Sequence, residues 1–171
     1  MSNPQLNYSF KQLSSSSCKK SKGIILDSFE YHSLRGNREK EILSQTLIDA
    51  SLANTKITTI RDINNNKLGL IALSNGSLEL KDKLLPAIII DYIFVDSRYR
   101  ANNKILDIKV SQMLIIYAIQ KAIEISQTVG IRYLILRPDG GKENKKLVSF
   151  YESMKFQYMT DKHEWMYLKL T

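Results

Sequence analysis

The sequence predicts an α/β (α+β) fold with a mixed central sheet and helices on both of its faces. Residues 87–95 are almost continuously apolar and β-branched, which is typical of a central strand. The apolar residues of 108–129 keep to one face of a 3.6-residue helix, and Gly130 follows as a stop signal. Strand-like and helix-like segments surround these two, and their order favours a layered α/β architecture.

The first third of the chain is predicted to contain an edge strand and two helices. Residues 7–13 alternate weakly between apolar and polar, and residues 14–22 are short, polar and basic, so we expect an edge strand followed by a loop. Between Ile24 and Ala53 the apolar residues recur at intervals of three and four, interrupted at Gly36. This pattern indicates two helices.

The middle of the chain is predicted to form a β-hairpin. Residues 57–63 and 68–74 are short β-rich segments separated by four polar residues, which is hairpin spacing. Asn75-Gly76-Ser77 is interpreted as a turn. Pro86 is expected at the start of the central strand, where its missing N–H is tolerated.

The last part of the chain is predicted to alternate strands and one further helix. A short strand at 132–136 and a turn at 138–141 precede a helix at 142–154, whose inner face is apolar. Residues 156–159 and 165–170 are expected to complete a strand pair.

Length and charge limit what the protein can be. A chain of 171 residues with 43% hydrophobic and 25% charged residues can bury a core, and we expect one domain spanning 1–171. Lysine and arginine number 25 against 17 aspartates and glutamates, which gives a net charge of +8. A positive field favours nucleic acid, anionic lipid and phosphorylated cofactors alike, so a polyanionic partner is plausible.

Several kinds of site are disfavoured by the sequence. Cys18 is the single cysteine, and His32 and His163 lie 131 positions apart, so we predict neither a disulfide framework nor a metal site. The serines at 14–17 lack the surroundings of a nucleophile, and Gly140-Gly141 reads as a turn rather than a phosphate loop. No leader and no membrane-spanning segment is recognised, so a cytoplasmic protein is expected.

Three stretches of the second half form a recognisable set of motifs. They are Tyr92-Ile-Phe-Val95-Asp-x-x-Tyr99-Arg100, Val129-Gly130-Ile131-Arg132, and Asn144-x-x-Leu147-x-x-Phe150-Tyr151-Glu-x-Met154-Lys-Phe156. From about Leu68 to its end the chain thereby resembles the GNAT superfamily of N-acetyltransferases. The resemblance implies an acyl-CoA N-acyltransferase (GNAT-like) fold with a mostly antiparallel sheet, and acetyl-CoA as the acyl donor.

The predicted strand, basic turn and helix fit the chemistry of that donor. An acyl-CoA needs a strand edge for the amides of its pantetheine arm and backbone N–H groups for its pyrophosphate. The candidate cofactor-binding residues are Ile93, Phe94, Val95, Arg98, Arg100, Asn103, Lys104 and Asn144. The alternative interpretation is that Arg98, Arg100 and Lys104 lie in a solvated turn and bind no phosphate.

The resemblance also assigns a catalytic residue. Tyr151 matches the family's general acid, which would protonate the departing thiolate. The alternative is a core aromatic on the inner face of its helix. Two positions depart from the motif of this helix, Leu147 for alanine and Lys155 for glycine. The turn at 100–105 lacks the glycines of the family's pyrophosphate loop, which leaves a weakened or lost coenzyme site as an alternative.

The acceptor substrate is open at this level. Residues 67–79 and the later motifs look like the toxin branch of the family, which acetylates the amino group of aminoacyl-tRNA. This branch implies tRNA and a small antitoxin protein as partners, and a homodimer is a further possibility. Peptides and small amines are the other acceptors, and a GNAT-shaped binding protein without turnover is the alternative class. The candidate partner surface comprises Lys19, Lys20, Lys22, Arg98, Arg100, Lys104, Lys142, Lys145 and Lys146.

Overall fold

A computed structural model describes residues 7–100, 108–159 and 164–170. Within these ranges the strands are β1 (Tyr8–Gln12), β2 (Lys56–Asp62), β3 (Lys67–Leu80), β4 (Lys83–Val95), β5 (Tyr133–Leu136), β6 (Gln157–Tyr158) and β7 (Met166–Lys169). The helices are α1 (Ser15–Lys20), α2 (Lys22–Asp27), α3 (Gly36–Ser51), α4 (Val110–Ser126) and α5 (Lys145–Ser153). Among these described residues, none of the helices has the length and apolar character required to cross a membrane.

The strands form a seven-stranded sheet in the order β1-β2-β3-β4-β5-β7-β6. Strand β4 is parallel to β5, whereas β1 with β2, β5 with β7 and β6 with β7 are antiparallel. Residues 87–95 therefore belong to the fourth of seven strands, as their apolar composition predicted. The predicted fold class, a mixed and mostly antiparallel sheet with helices, is confirmed.

The chain divides into two compact units. The first contains residues 1–72 and 92–114, and the second contains residues 73–91 and 115–171. The prediction of one domain spanning 1–171 stays a prediction.

Each unit has its own apolar core. In the first, helices α1–α3 contribute to a core whose least exposed members include Leu43, Leu47, Ile57 and Leu70, each 0% exposed. In the second, Leu78, Ala87, Ile135 and Met159 are buried, and partly buried aromatic residues pack against them.

The loop predicted at 14–22 is wrong, because these residues form α1 and the start of α2. The Ser14 hydroxyl accepts a hydrogen bond from the Ser17 N–H at 3.0 Å and caps α1. Cys18 is 1% exposed and belongs to the first core. A helix of six residues with one buried apolar side chain shows no periodicity that a sequence pattern could reveal.

The turn predicted at Asn75–Ser77 is also wrong, because β3 continues through these residues to Leu80. A Cβ atom on Gly76 would collide with the side chain of Ile89, so the glycine serves close side-chain packing. Turn-forming residue types were therefore misleading in this segment.

The remaining elements agree with the predictions to within a few residues. The hairpin between β2 and β3 is closed by the Asp62 N–H, which donates to the Asn66 carbonyl at 3.1 Å. Asn65 has a φ of +66°, which asparagine tolerates better than most residues. Strand β4 begins earlier than predicted, so Pro86 lies within it.

Candidate functional site

The C-terminal end of β4 extends past its last partner in β5. The parallel pairs run from Ala87 with Tyr133 to Ile90 with Leu136, whereas β4 continues to Val95. Residues 91–95 therefore carry backbone groups beyond the paired part of β5. Backbone groups on an open side of a strand can pair with an extended ligand.

Along β4, the side to which successive residues direct their backbone hydrogen bonds changes its alternation once. The Pro86 carbonyl accepts from Arg132, which precedes β5, whereas the Asp96 N–H donates to Leu68 of β3 at 3.0 Å. In a regular strand these two even-numbered residues would direct their backbone groups to the same neighbour. An irregularity of the β-bulge type lies between them.

Beyond this irregularity the residues of β4 have different roles. A Cβ on Gly69 would lie 2.5 Å from the Phe94 carbonyl oxygen, so Phe94 directs its carbonyl toward β3. The Phe94 side chain is 2% exposed. Ile93 and Val95 are half-buried and have the opposite backbone orientation. The Val95 carbonyl accepts from Arg100, so of the three predicted pantetheine contacts the Ile93 backbone is the best placed.

A buried carboxylate follows β4. The Asp96 side chain is 0% exposed and accepts from the Glu30 N–H at 2.9 Å and the Arg98 N–H at 3.0 Å. The Arg98 guanidinium donates to both carboxylate oxygens, at 2.9 and 2.7 Å. Burial opposes ionisation of Asp96, but the Arg98 and Glu30 hydrogen bonds outweigh it and lower the pKa of the carboxyl group.

Arg100 is held by a second carboxylate. Its Nη2 lies 2.7 Å from Glu39 Oε2, its Nε donates to the Val95 carbonyl at 2.7 Å, and its guanidinium lies 5.3 Å from the centre of the Phe94 ring. The Glu39 carboxylate also accepts from the His32 N–H at 2.8 Å. Arg100 therefore fixes the end of β4 to the start of α3.

The ion pairs of Arg98 and Arg100 reduce the positive charge that these residues offer to a pyrophosphate. Arg98 and Arg100 both follow β4, as predicted, but each is neutralised by at least one carboxylate within the first unit. Asn103 and Lys104 lie outside the described residues. A phosphate contact by these four residues stays a prediction.

Tyr151 lies on α5 in the second unit and is 7% exposed. Its ring packs against Phe150 and Phe156 at centroid distances of 5.2 and 6.0 Å. Burial, reinforced by the charge of Asp139, raises the pKa of Tyr151 to about 12. The phenol is therefore protonated at neutral pH, which a general acid requires.

Asn144 starts the helix that carries Tyr151. Its Oδ1 accepts from the Leu147 N–H at 3.2 Å, which makes it the N-cap of α5, and its Nδ2 donates to the Asp139 carbonyl at 3.0 Å. The side chain thus positions α5 and the preceding turn. A direct cofactor contact by Asn144 stays a prediction.

The other end of α5 retains the backbone geometry that a glycine would favour. Lys155 has a φ of +73°, and the N–H groups of Lys155 and Phe156 donate to the carbonyls of Glu152 and Tyr151. This is the Schellman arrangement of a helix C-terminus. The departure from glycine at position 155 therefore changes the side chain and leaves the turn intact.

We expect loss of the Asn144 cap to destabilise the protein. Asn144→Ala should lower the free energy of unfolding by about 1 kcal/mol, because the Leu147 N–H loses its acceptor. Asn144→Ser retains a capping oxygen and should restore most of the loss. Urea unfolding of the three proteins measures the difference, and equal stabilities of the alanine and serine variants would contradict the capping role.

The two histidines do not form a site in the described structure. His32 Nδ1 accepts from the backbone N–H groups of Leu34 and Arg35, at 3.1 and 3.3 Å, and His163 lies outside the described residues. Within the described ranges, no group of three or more His, Cys, Asp or Glu side chains is arranged to hold a metal ion.

Sequence reasoning missed the carboxylates that organise the end of β4. Asp96 belongs to a quoted motif but received no role, and Glu30 and Glu39 were not considered. An acidic residue between an apolar strand and a basic turn is the one signal that could have identified Asp96. Glu30 and Glu39 precede their arginine partners by more than sixty positions and carry no signal in a single sequence.

Comparisons with known proteins agree in fold and differ widely in sequence. No protein-family model and no curated protein matches the chain. The solved structure of AtaT complexed with acetyl-methionyl-tRNAfMet matches with a TM-score of 0.72 at 13% identity, over 95% of this chain and 94% of that chain. A mutant AtaT toxin bound to the C-terminus of the antitoxin AtaR and acetyl-CoA matches with a TM-score of 0.69 at 13% identity, over 95% and 92% of the two chains.

A further solved structure extends the comparison. The GNAT family N-acetyltransferase YhbS from Escherichia coli, in complex with CoA, matches with a TM-score of 0.61 at 12% identity, over 100% of this chain and 86% of that chain. The expectation drawn from the motifs around Val95 and Tyr151 is therefore confirmed at the level of architecture. The chain has the fold of the GNAT N-acetyltransferases.

Proposed function

We propose that the protein is an N-acetyltransferase that moves an acetyl group from acetyl-CoA to a primary amine. The observation that carries the proposal is the match, over 95% of the chain, to a toxin structure that contains acetyl-CoA. The protonated, buried phenol of Tyr151 adds a group suited to the chemistry. The reaction class rests on the fold together with this residue.

The proposed roles of the residues rest on the motif resemblance and on the position of each residue in its own element. Acetyl-CoA would supply an acetyl group activated as a thioester. The Ile93 backbone and the Val95 N–H would pair with the pantetheine arm, because these residues follow the last β5 pair, whereas the Val95 carbonyl accepts from Arg100. As the amine nitrogen bonds to the acetyl carbon and the carbon–sulfur bond breaks, Tyr151 would donate its proton to the departing thiolate. The amine loses a proton to a base that the described residues do not identify.

The proposed acceptor is the amino group of an aminoacyl-tRNA. A net charge of +8 favours a polyanionic substrate, and AtaT was solved in complex with an acetylated aminoacyl-tRNA. In this proposal the protein acts in the cytoplasm and a small antitoxin binds it, as AtaR binds AtaT. Peptides and small amines are the alternative acceptors within the same reaction class. Homodimer formation stays a prediction.

A second candidate function has an observation in its favour. Arg98 is paired with Asp96 and Glu30, and Arg100 with Glu39, so both guanidinium charges are already compensated without a ligand. A GNAT-shaped binding or regulatory protein with weakened or lost acetyl-CoA turnover would tolerate this arrangement. The two candidates differ in whether acetyl-CoA binds and reacts.

The experiment that separates them combines titration and turnover. We expect acetyl-CoA to produce binding heat and to raise the melting temperature, since a ligand that binds the folded state stabilises it. We also expect acetyl transfer to aminoacyl-tRNA to exceed transfer to peptides and polyamines. Binding without transfer to any acceptor would favour the binding protein. No heat and no thermal shift at millimolar acetyl-CoA would refute the enzyme proposal.

A further inference from the structure

Arg61 on β2 is a buried arginine that forms no ion pair with a carboxylate of the described residues. The residue is 8% exposed, although it belongs to a strand next to the sheet edge. Its Nε donates to the Thr59 hydroxyl oxygen at 3.0 Å, and its Nη1 donates to the Asn65 side-chain oxygen at 2.9 Å. A guanidinium group has five N–H donors, so three of them find no acceptor in the described part of the chain.

The neighbouring carboxylate is used elsewhere. Asp62 accepts from the N–H groups of Asn64 and Asn66 and from the Asn66 side-chain amide, at 2.8 to 3.0 Å, and so organises the hairpin turn. Arg98 and Arg100 show the usual solution, in which the guanidinium meets a carboxylate at 2.7 Å. Arg61 is not among the buried side-chain groups that lack a hydrogen-bond partner in the described residues, so its unpaired N–H groups reach solvent and are open to an anionic ligand.

Two lysines bring further positive charge to the same place. Thr59, which holds Arg61, lies opposite Lys11 in the register of β1 and β2, and its hydroxyl donates to the Lys11 carbonyl at 3.1 Å. Lys67 is the first residue of β3, immediately after the turn that Asn65 and Asp62 form. Burial and the charges of Arg61 and Lys11 lower the pKa of Lys67, as expected for cations that lie near one another.

We propose that Lys11, Arg61 and Lys67 bind a phosphate group. Three cations on neighbouring strands attract this anion, and its several oxygens can accept hydrogen bonds from a guanidinium group and from ammonium groups. The turn residue Asn65 and the buried Thr59 hold the guanidinium in place before the ligand arrives. The site lies on β1, β2 and the start of β3, and it depends on none of the residues proposed for acetyl transfer.

The phosphate can belong to a nucleic-acid backbone or to a small phosphorylated molecule. A double variant, Lys11→Gln with Lys67→Gln, removes two charges and leaves the buried Arg61 and its partners in place. Lys83→Gln with Lys169→Gln removes two exposed lysines of the second unit and serves as the matched control, with the same change in net charge. Thermal melting of both variants verifies that they are folded.

The first measurement is the salt dependence of binding to a short single-stranded RNA of mixed sequence. Each phosphate contact contributes about 0.7 to the slope of log affinity against log salt, so the Lys11/Lys67 variant should lose about 1.4 in slope and the control should not. The second measurement is titration with inorganic phosphate, which the wild type and the control should bind more tightly than the variant. Acetyl-CoA binding, measured in parallel, should be the same in all three proteins.

The outcomes are separable. A reduced RNA slope assigns the phosphate to a nucleic-acid backbone, whereas an unchanged slope with weakened phosphate binding assigns it to a small phosphorylated ligand. Equal slopes and equal phosphate binding for the two double variants overturn the proposal, as does a wild type that binds neither probe. Because acetyl-CoA binding is recorded separately, loss of the proposed acetyltransferase function would not be mistaken for loss of this site.

Discussion

A Tyr151→Phe variant should lose acetyl transfer by about 10²- to 10⁴-fold, the usual contribution of a positioned general acid. The ring of Tyr151 packs between Phe150 and Phe156, so phenylalanine preserves these contacts while removing the acidic proton. The melting temperature should therefore stay close to that of the wild type. Rates with the best acceptor, measured alongside thermal melting, test both parts.

Two controls distinguish the hydroxyl from the ring. Tyr167→Phe removes another hydroxyl of the second unit, one that donates to Gln157 at 3.2 Å, and should leave turnover intact. Tyr151→Ala should cost about 3 to 5 kcal/mol of stability through the lost aromatic packing. Since the pKa of Tyr151 is about 12, its proton should not limit the rate below about pH 10. Full turnover of Tyr151→Phe would remove Tyr151 from the catalytic machinery.

Asp96→Ala should be among the most destabilising single substitutions in the first unit. It removes the acceptor of four N–H bonds, which leaves the Glu30 amide without its acceptor and the Arg98 guanidinium with Glu30 as its remaining carboxylate. Asp96 is buried but the Arg98 side chain is 44% exposed, so the loss should be about 1 to 3 kcal/mol, the cost of leaving a buried donor unsatisfied. Asp27→Ala is the matched control, because Asp27 pairs with Lys40 at the surface and should contribute less than about 1 kcal/mol.

Acid provides an independent test of Asp96. Its pKa is lowered in the folded state, so its contribution is complete above the unfolded-state pKa of about 3.9 and is lost as the pH falls through the folded-state value. The wild type should therefore lose stability below about pH 4 more steeply than Asp96→Asn. Parallel acid-unfolding curves for the two proteins would argue against a buried, ionised Asp96.

Elements with a long, regular pattern could be predicted from the sequence, and short or exceptional ones could not. Helix α4 and strand β4 carry many apolar residues at their characteristic spacing, which is why both were recognised. Helix α1 buries one side chain, Cys18, and so has no period. Residues 75–77 have the composition of a turn, but the packing of Ile89 against Gly76 keeps them in β3.

The sequence predicted which residues belong to the candidate site, but it did not predict which residues they contact. The motifs identified the α5 segment, Tyr151 and the basic residues after β4, because residue type and local spacing are visible in one chain. Whether a basic side chain is free or neutralised depends on residues far away in sequence. Glu39 forms an ion pair with Arg100, which lies 61 positions later in the chain, and no local sequence pattern predicts such a pair.

The hydrogen bonds of residues 28–35, between α2 and α3, restrict the motion of this segment. The Glu30 N–H donates to Asp96, and the His32 N–H donates to Glu39, which in turn holds Arg100. The Ser97 N–H also donates to the Glu30 carbonyl at 2.9 Å, so moving this segment away from the end of β4 breaks the two bonds of Glu30. We therefore expect its local opening to cost more free energy than the fraying of an ordinary surface loop. The connection between α2 and α3 and the end of β4 should open together.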